Sequence, residues 1–128
     1  MAFQKHSIEH IESRLQFIQT VLESDYDQDD GTILNSRMQA VGAYMAEAGK
    51  LKADAEYYHK SKLKSEIIQA IKDLIPEYSS GTVQNKLVNS LAAEEAALET
   101  FADRVNRSCT HQLDSMRSQL SFIRSLPR

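Results

Sequence analysis

The stretch RVNRSCTHQLDSMRS, residues 104–118, gathers three arginines, a histidine, an aspartate, an asparagine, a glutamine, a threonine and three serines within about four helical turns. Guanidinium forks suit phosphate oxygens, and amides and hydroxyls add the mixed donors and acceptors that read the edge of a base. Arg104, Arg107, His111 and Asp114 recur at spacings of three and four and share one side of a helix, with Arg117 three residues beyond. Asn106, Thr110 and Gln112 project from neighbouring faces. The row fits two chemistries: an internal ladder of ion pairs and hydrogen bonds, or a site for an anion. A second cluster holds Tyr57, Tyr58, His59, Lys60, Lys62 and Lys64. Aromatic rings can stack on a base while lysines hold phosphates. Its plainer reading is a core Tyr58 beside a solvated lysine face.

Other chemistries fail on spacing. DYDQDDG (25–31) places Asp25, Asp27 and Asp29 as a calcium loop would, but position six is Asp30 and position twelve is Ser36, where such a loop needs glycine and glutamate. The segment reads as an acidic turn that favours the start of the next helix. His6 and His10 are one turn apart, with no third metal ligand evident nearby and no zincin glutamate; they read as an exposed face near a frayed terminus. Cys109 and His111 diverge by about 200° on a helix, so they cannot pair as nucleophile and base, and Cys109 falls on an apolar stripe. No glycine-rich phosphate loop or nucleophile elbow occurs. The expectation is a non-enzyme with no catalytic residues, no metal and no cofactor.

These residues sit on a helical frame. Gly and Pro are scarce among the 128 residues and Trp is absent, a composition for an all-α single domain over 1–128. Ile8, Ile11, Leu15, Ile18 and Leu22 make one stripe for a helix over about 7–23, with Ser7 as N-cap. A second stripe runs from Leu34 to Leu74 and predicts a helix over about 32–75. Unbroken, it would be roughly 60 Å long; Gly42, Gly49 or YYHKSK (57–62) could bend or interrupt it. PEYSSGT (76–82) is the clearest turn. A third helix is predicted over about 83–125 on the seam Leu87, Leu91, Leu98, Phe101 and Val105, with Glu94 inside it. After Val105 the seam can pass through Ser108 and Gln112 or through Cys109 and Leu113, as at a stutter. The expected architecture is an antiparallel hairpin of two long helices plus the shorter N-terminal one, assembled into a homo-oligomeric bundle because one elongated chain buries little. A monomeric bundle with a broken second helix is the alternative. Pairing about the turn sets residue i near 158 − i, which puts Tyr57 and Tyr58 within about two or three turns of the arginine row.

The net charge of −3 is unevenly spread: residues 1–31 carry two bases against seven acids, and residues 103–128 carry five arginines against two aspartates. That is too little positive charge for a general nucleic-acid binder, while a local anion site remains open. No apolar run approaches the roughly 20 residues of a membrane span. The opening MAFQKHSIEH lacks an apolar signal segment and Cys109 is a single cysteine, so a reducing cytoplasm and no membrane partner are expected.

LAAEEAALETFADRVNRSCTHQLDSMRSQLSFIRS (91–125) and AEAGKLKADAEYYHKSKLKSE (46–66) resemble small all-helical phage and prophage proteins of replication and recombination modules. In those an acidic stretch leads into Arg-x-Asn-Arg, then Thr-His-Gln-Leu-Asp, then Arg-Ser. The resemblance covers about half the chain and implies phage origin and a role for Arg104, Asn106, Arg107, Thr110, His111, Gln112, Asp114 and Arg117. This chain ends in SLPR where the pattern has a lysine- and glutamate-rich tail. The leading expectation is a non-enzymatic binder of an anionic, nucleotide-like ligand, in one version sequestering a host immune second messenger, with Tyr57 or Tyr58 stacking and Lys60 on phosphate. The alternatives are an accessory protein of phage DNA replication or recombination that binds single-stranded DNA or a recombinase, and a purely structural or protein-interaction bundle.

Overall fold

The computed structural model describes residues 5–74 and 81–127 and is all-helical there. Five helices follow in order: α1 Ile8–Glu23, α2 Gly31–Leu63, α3 Glu66–Leu74, α4 Gly81–Leu91 and α5 Ala93–Ser125. No helix among the described residues is long and apolar enough to cross a membrane. Residues 76–80 of the expected turn lie outside the described residues.

Local chemistry sets each boundary. Ser7 caps α1, its hydroxyl accepting from the His10 N–H at 3.1 Å. The acidic turn ends in Asp30, whose carboxylate accepts from the Thr32 and Ile33 N–H groups at 2.9 and 3.2 Å and starts α2, the usual work of an N-cap aspartate. α2 runs straight through Gly42, Gly49 and YYHKSK, then stops at Leu63. Ser65 then takes the start of α3, its carbonyl accepting from Gln69 N–H at 3.0 Å. The helix expected over 83–125 is likewise two, divided at Ala92. α5 restarts with Glu94 and Glu95 in its first turn, where negative charge suits the exposed N–H groups.

α2 and α5 form the main contact. Lys52 reaches Asp103, Met45 accepts from Asn106, and Arg37 reaches Gln112, so numbers fall along α2 as they rise along α5 and the two run antiparallel. α1 lies across this pair: Arg14 pairs with Glu47 of α2, and Leu22 of α1 accepts from Gln112 of α5. Ile11, Leu15 and Ile18 are fully buried against Leu34, Val41, Ala48, Leu51 and Ala55 of α2 and Ala102, Val105 and Cys109 of α5. Of the two continuations of the seam, the buried line follows Cys109, Leu113 and Met116. α3 and α4 pack on each other beyond the start of α1, with Ile68 and Val88 buried. The breaks at Lys64–Ser65 and at Ala92 lie at about the same level of the paired helices, about two to three turns beyond the contacts of His6 with Asp54 and Tyr58 at the start of α1.

Candidate functional site

The polar row of α5 divides by direction. Asn106 turns inward and donates from Nδ2 to the Met45 carbonyl of α2 at 2.9 Å. The Thr110 hydroxyl donates back to the Asn106 carbonyl at 3.2 Å and touches Met45 Sδ at 3.4 Å. Gln112 donates from Nε2 to the Leu22 carbonyl at 2.9 Å and accepts from Arg37 Nε at 3.2 Å. Arg37, which the sequence did not single out, stretches under the end of α1. Its Nη2 donates to the Val21 carbonyl at 2.6 Å and Nη1 to Ser24 Oγ at 2.9 Å, with the guanidinium over the Tyr26 ring at 4.6 Å. The last carbonyls of a helix have no partner within it and carry partial negative charge. Arg37 and Gln112 together satisfy that end.

The outer residues of the row are Arg104, Arg107, His111, Asp114 and Arg117, all exposed. Arg107 pairs with Asp103 at 3.0 Å and Arg117 with Asp114 at 3.2 Å. Asp103 also accepts from Lys52 at 2.9 Å, and this contact foremost holds its carboxyl below the ordinary range. Arg104 and His111 make no side-chain hydrogen bond with other described residues.

The second cluster separates in the same way. The Tyr58 hydroxyl donates to the His6 carbonyl at 2.8 Å and so faces α1. Tyr57 is about half exposed, edge-on to Tyr58 and covered by Lys5 at 4.0 Å from its ring centre. Lys60 pairs with Glu56 at 2.7 Å. His59 crosses to Glu99 of α5 at 2.8 Å. The tyrosines are therefore held on the α1 side, while Lys52, His59 and Arg107 meet in a shallow groove of about 380 Å³ that also contains Glu99, Thr100 and Asp103.

A third polar centre escaped the sequence reading. Asp54 of α2 is 2% exposed. Its Oδ1 accepts from Lys50 Nζ at 2.8 Å, and its Oδ2 takes the His6 N–H at 3.0 Å and lies 2.8 Å from His6 Nδ1. An ionised carboxylate only accepts, so Nδ1 carries a proton. The outer face of His6 stacks on His10 at 4.6 Å. His6 is thus half-buried and tied down, a correction to the exposed, fraying face expected of it. Burial pushes the Asp54 carboxyl up, and Lys50 and His6 overcome it, leaving the carboxyl below its ordinary range. A buried carboxylate that orients an imidazole has the form of a catalytic pair, but this one also holds the main chain of His6 and so anchors the N-terminal segment. The sequence signal was an acid among the apolar positions Leu51, Ala55 and Tyr58, with a lysine four residues before it. Cys109 is buried, and burial raises its thiol pKa. Among the described residues no three metal-ligating side chains stand together as an ion would need. The chain matches no protein-family model, no curated protein and no solved structure.

Proposed function

We propose that the protein is a non-enzymatic helical interaction protein that works as a homo-oligomer of antiparallel hairpins. Its working strip is the outer row Arg104, Arg107, His111, Asp114 and Arg117, and it takes an acidic surface of a macromolecular partner. The observation that carries this reading is the division of the polar row. The amide and hydroxyl groups that would read a base, Asn106, Thr110 and Gln112, are already engaged with acceptors of the fold. The arginines stand outward on a single convex helix face, whereas small-molecule sites are concave.

A second reading keeps the nucleotide-like ligand and moves it to the groove where Lys52, His59 and Arg107 converge. A phosphate there would displace Asp103 from Lys52 and Arg107, and a second copy would complete the enclosure. Sequestration of a host immune second messenger by a phage protein belongs to this version.

Native mass spectrometry of the full chain with a pool of cyclic and linear nucleotides and one short DNA strand separates the readings. The interaction reading predicts no stoichiometric nucleotide, and a bound nucleotide lost in Lys52→Ala and Arg107→Ala would replace it with the groove reading. DNA capture that weakens steeply with salt would move the partner to single-stranded DNA.

A further inference from the structure

The breaks in the two long helices divide the molecule into a lower half, where α1 packs on α2 and α5, and an upper half of α3 and α4. At the top of the lower half the acidic segments of the chain come together. Residues 1–31 carry seven acids against two bases and residues 76–102 four against one; α1 and the first turns of α5 belong to these segments. His6 meets Asp54 and Arg14 meets Glu47, so α1 runs antiparallel to α2 and parallel to α5. Gln112 reaches the Leu22 carbonyl; counting back equally along both helices brings Ile8 level with Leu98, and Glu12 about one turn lower. Here a groove of about 440 Å³ opens between them, lined by Ile8, Leu98 and Phe101 together with Glu12, Glu94 and Glu95. Glu94, Leu98 and Phe101 recur at four and three, and Ile8 and Glu12 at four. On each helix an acid and a hydrocarbon therefore share the groove-facing side.

We propose that this groove docks a basic amphipathic segment of a partner protein. Its apolar side chains cover Ile8, Leu98 and Phe101, and its lysines or arginines meet the three glutamates. Charge chooses the occupant. Covering the hydrocarbon takes water from the carboxylates beside it, which costs free energy unless a cation comes with the ligand. A neutral or acidic segment is refused on that ground. The chain does not supply the cation itself: among the described residues Glu12, Glu94 and Glu95 enter no ion pair. Arg14 is held by Glu47 on the α2 side, and Lys5 lies over Tyr57. Along the α4–α5 line the first bases past the groove are Lys86, about two turns above Glu94, and Arg104, about one turn beyond Phe101. The acids spread over about eight residues of helix, or roughly 12 Å, which suits several cations spaced along a peptide better than a single ammonium. This surface is separate from the arginine strip and selects the opposite charge.

NMR of the nitrogen-15-labelled full chain, titrated with a synthetic amphipathic helix of leucine and lysine, tests this. Shifts should centre on Ile8, Glu12 and residues 94–101. The same peptide with glutamate for lysine, or with serine for leucine, should not bind. Glu12→Gln with Glu94→Gln and Glu95→Gln should weaken binding about tenfold. Glu9→Gln with Glu23→Gln and Asp25→Asn makes the same change in net charge away from the groove and should leave binding within about twofold. All these positions except Glu95 are exposed, and unchanged helical circular dichroism checks the fold. No binding of the leucine–lysine peptide at millimolar concentration, shifts centred elsewhere, or equal loss in the two triple variants would overturn the proposal. Shifts at the groove that appear on concentrating the chain without peptide would assign it to a second copy and overturn it as well.

Discussion

The two halves of the molecule use their surfaces in opposite ways. In the lower half three helices meet, Ile11, Leu15 and Ile18 of α1 are fully buried, and the polar side chains at the contacts, Asn106, Gln112, Arg37 and Asp54, lock one segment to the next. Among the described residues of the upper half α3 and α4 pack on each other, and Ile67, Leu87 and Leu91 are exposed or partly so. The inward side chains of the polar row, Asn106 and Gln112, serve the fold beside a third helix, while Ile67, Leu87 and Leu91 lie beyond that helix and are partly exposed.

The sharpest way to break that contrast is to shave the same amount of hydrocarbon from each half. Leu15→Ala, at a fully buried position, should cost about 3 kcal/mol in urea unfolding. Leu87→Ala, measured at concentrations where the chain is single, should cost less than about 1 kcal/mol. Equal costs would mean that the halves are packed alike. Next is the anchor of the N-terminal segment. Asp54→Ala leaves Lys50 and His6 without their carboxylate and should destabilise by about 3 kcal/mol. Asp54 and Glu47 both have lowered carboxyl pKa values, Asp54 against its burial through Lys50 and His6, and Glu47 chiefly through Arg14. Their contribution is therefore complete above the ordinary carboxylate range and is lost as pH falls through the lowered values, below about 4. Acid titration of stability should be shallower in Asp54→Asn than in wild type.

A smaller effect is expected at the end of α1. Arg37→Ala removes the cation from the Val21 and Ser24 acceptors and should cost about 1–2 kcal/mol, with faster amide exchange in the last turn of α1. Smallest is the outer strip: Arg104→Ala and His111→Ala should change stability by less than about 0.5 kcal/mol while weakening any partner that uses the strip. A large loss of stability there would show that the outer row also serves the fold.

The helical class and the core stripe of α1 were legible because each apolar position recurs at three and four, and the face is buried from Ile11 to Leu22, though not at Ile8. A break in the second helix was among the alternatives, with 57–62 as a candidate place, and it falls just beyond, at Lys64–Ser65; the break at Ala92 was not legible, because the stripe of α4 continues into α5 across it. The polar row was visible as a row, but periodicity assigns a side chain to a face without naming the acceptor it meets. Asn106 and Gln112 read as recognition groups until the Met45 and Leu22 carbonyls came into place opposite them. Arg37 and Asp54 went unmarked because their partners are supplied by a distant helix or by the N-terminal segment.

Hydrogen exchange of the full chain at low and high protein concentration tests the central claim most directly. The account predicts slow, concentration-independent exchange along α1 and the facing parts of α2 and α5. In α3 and α4 it predicts faster exchange. Exchange in α3 and α4 as slow as in α1 would contradict it.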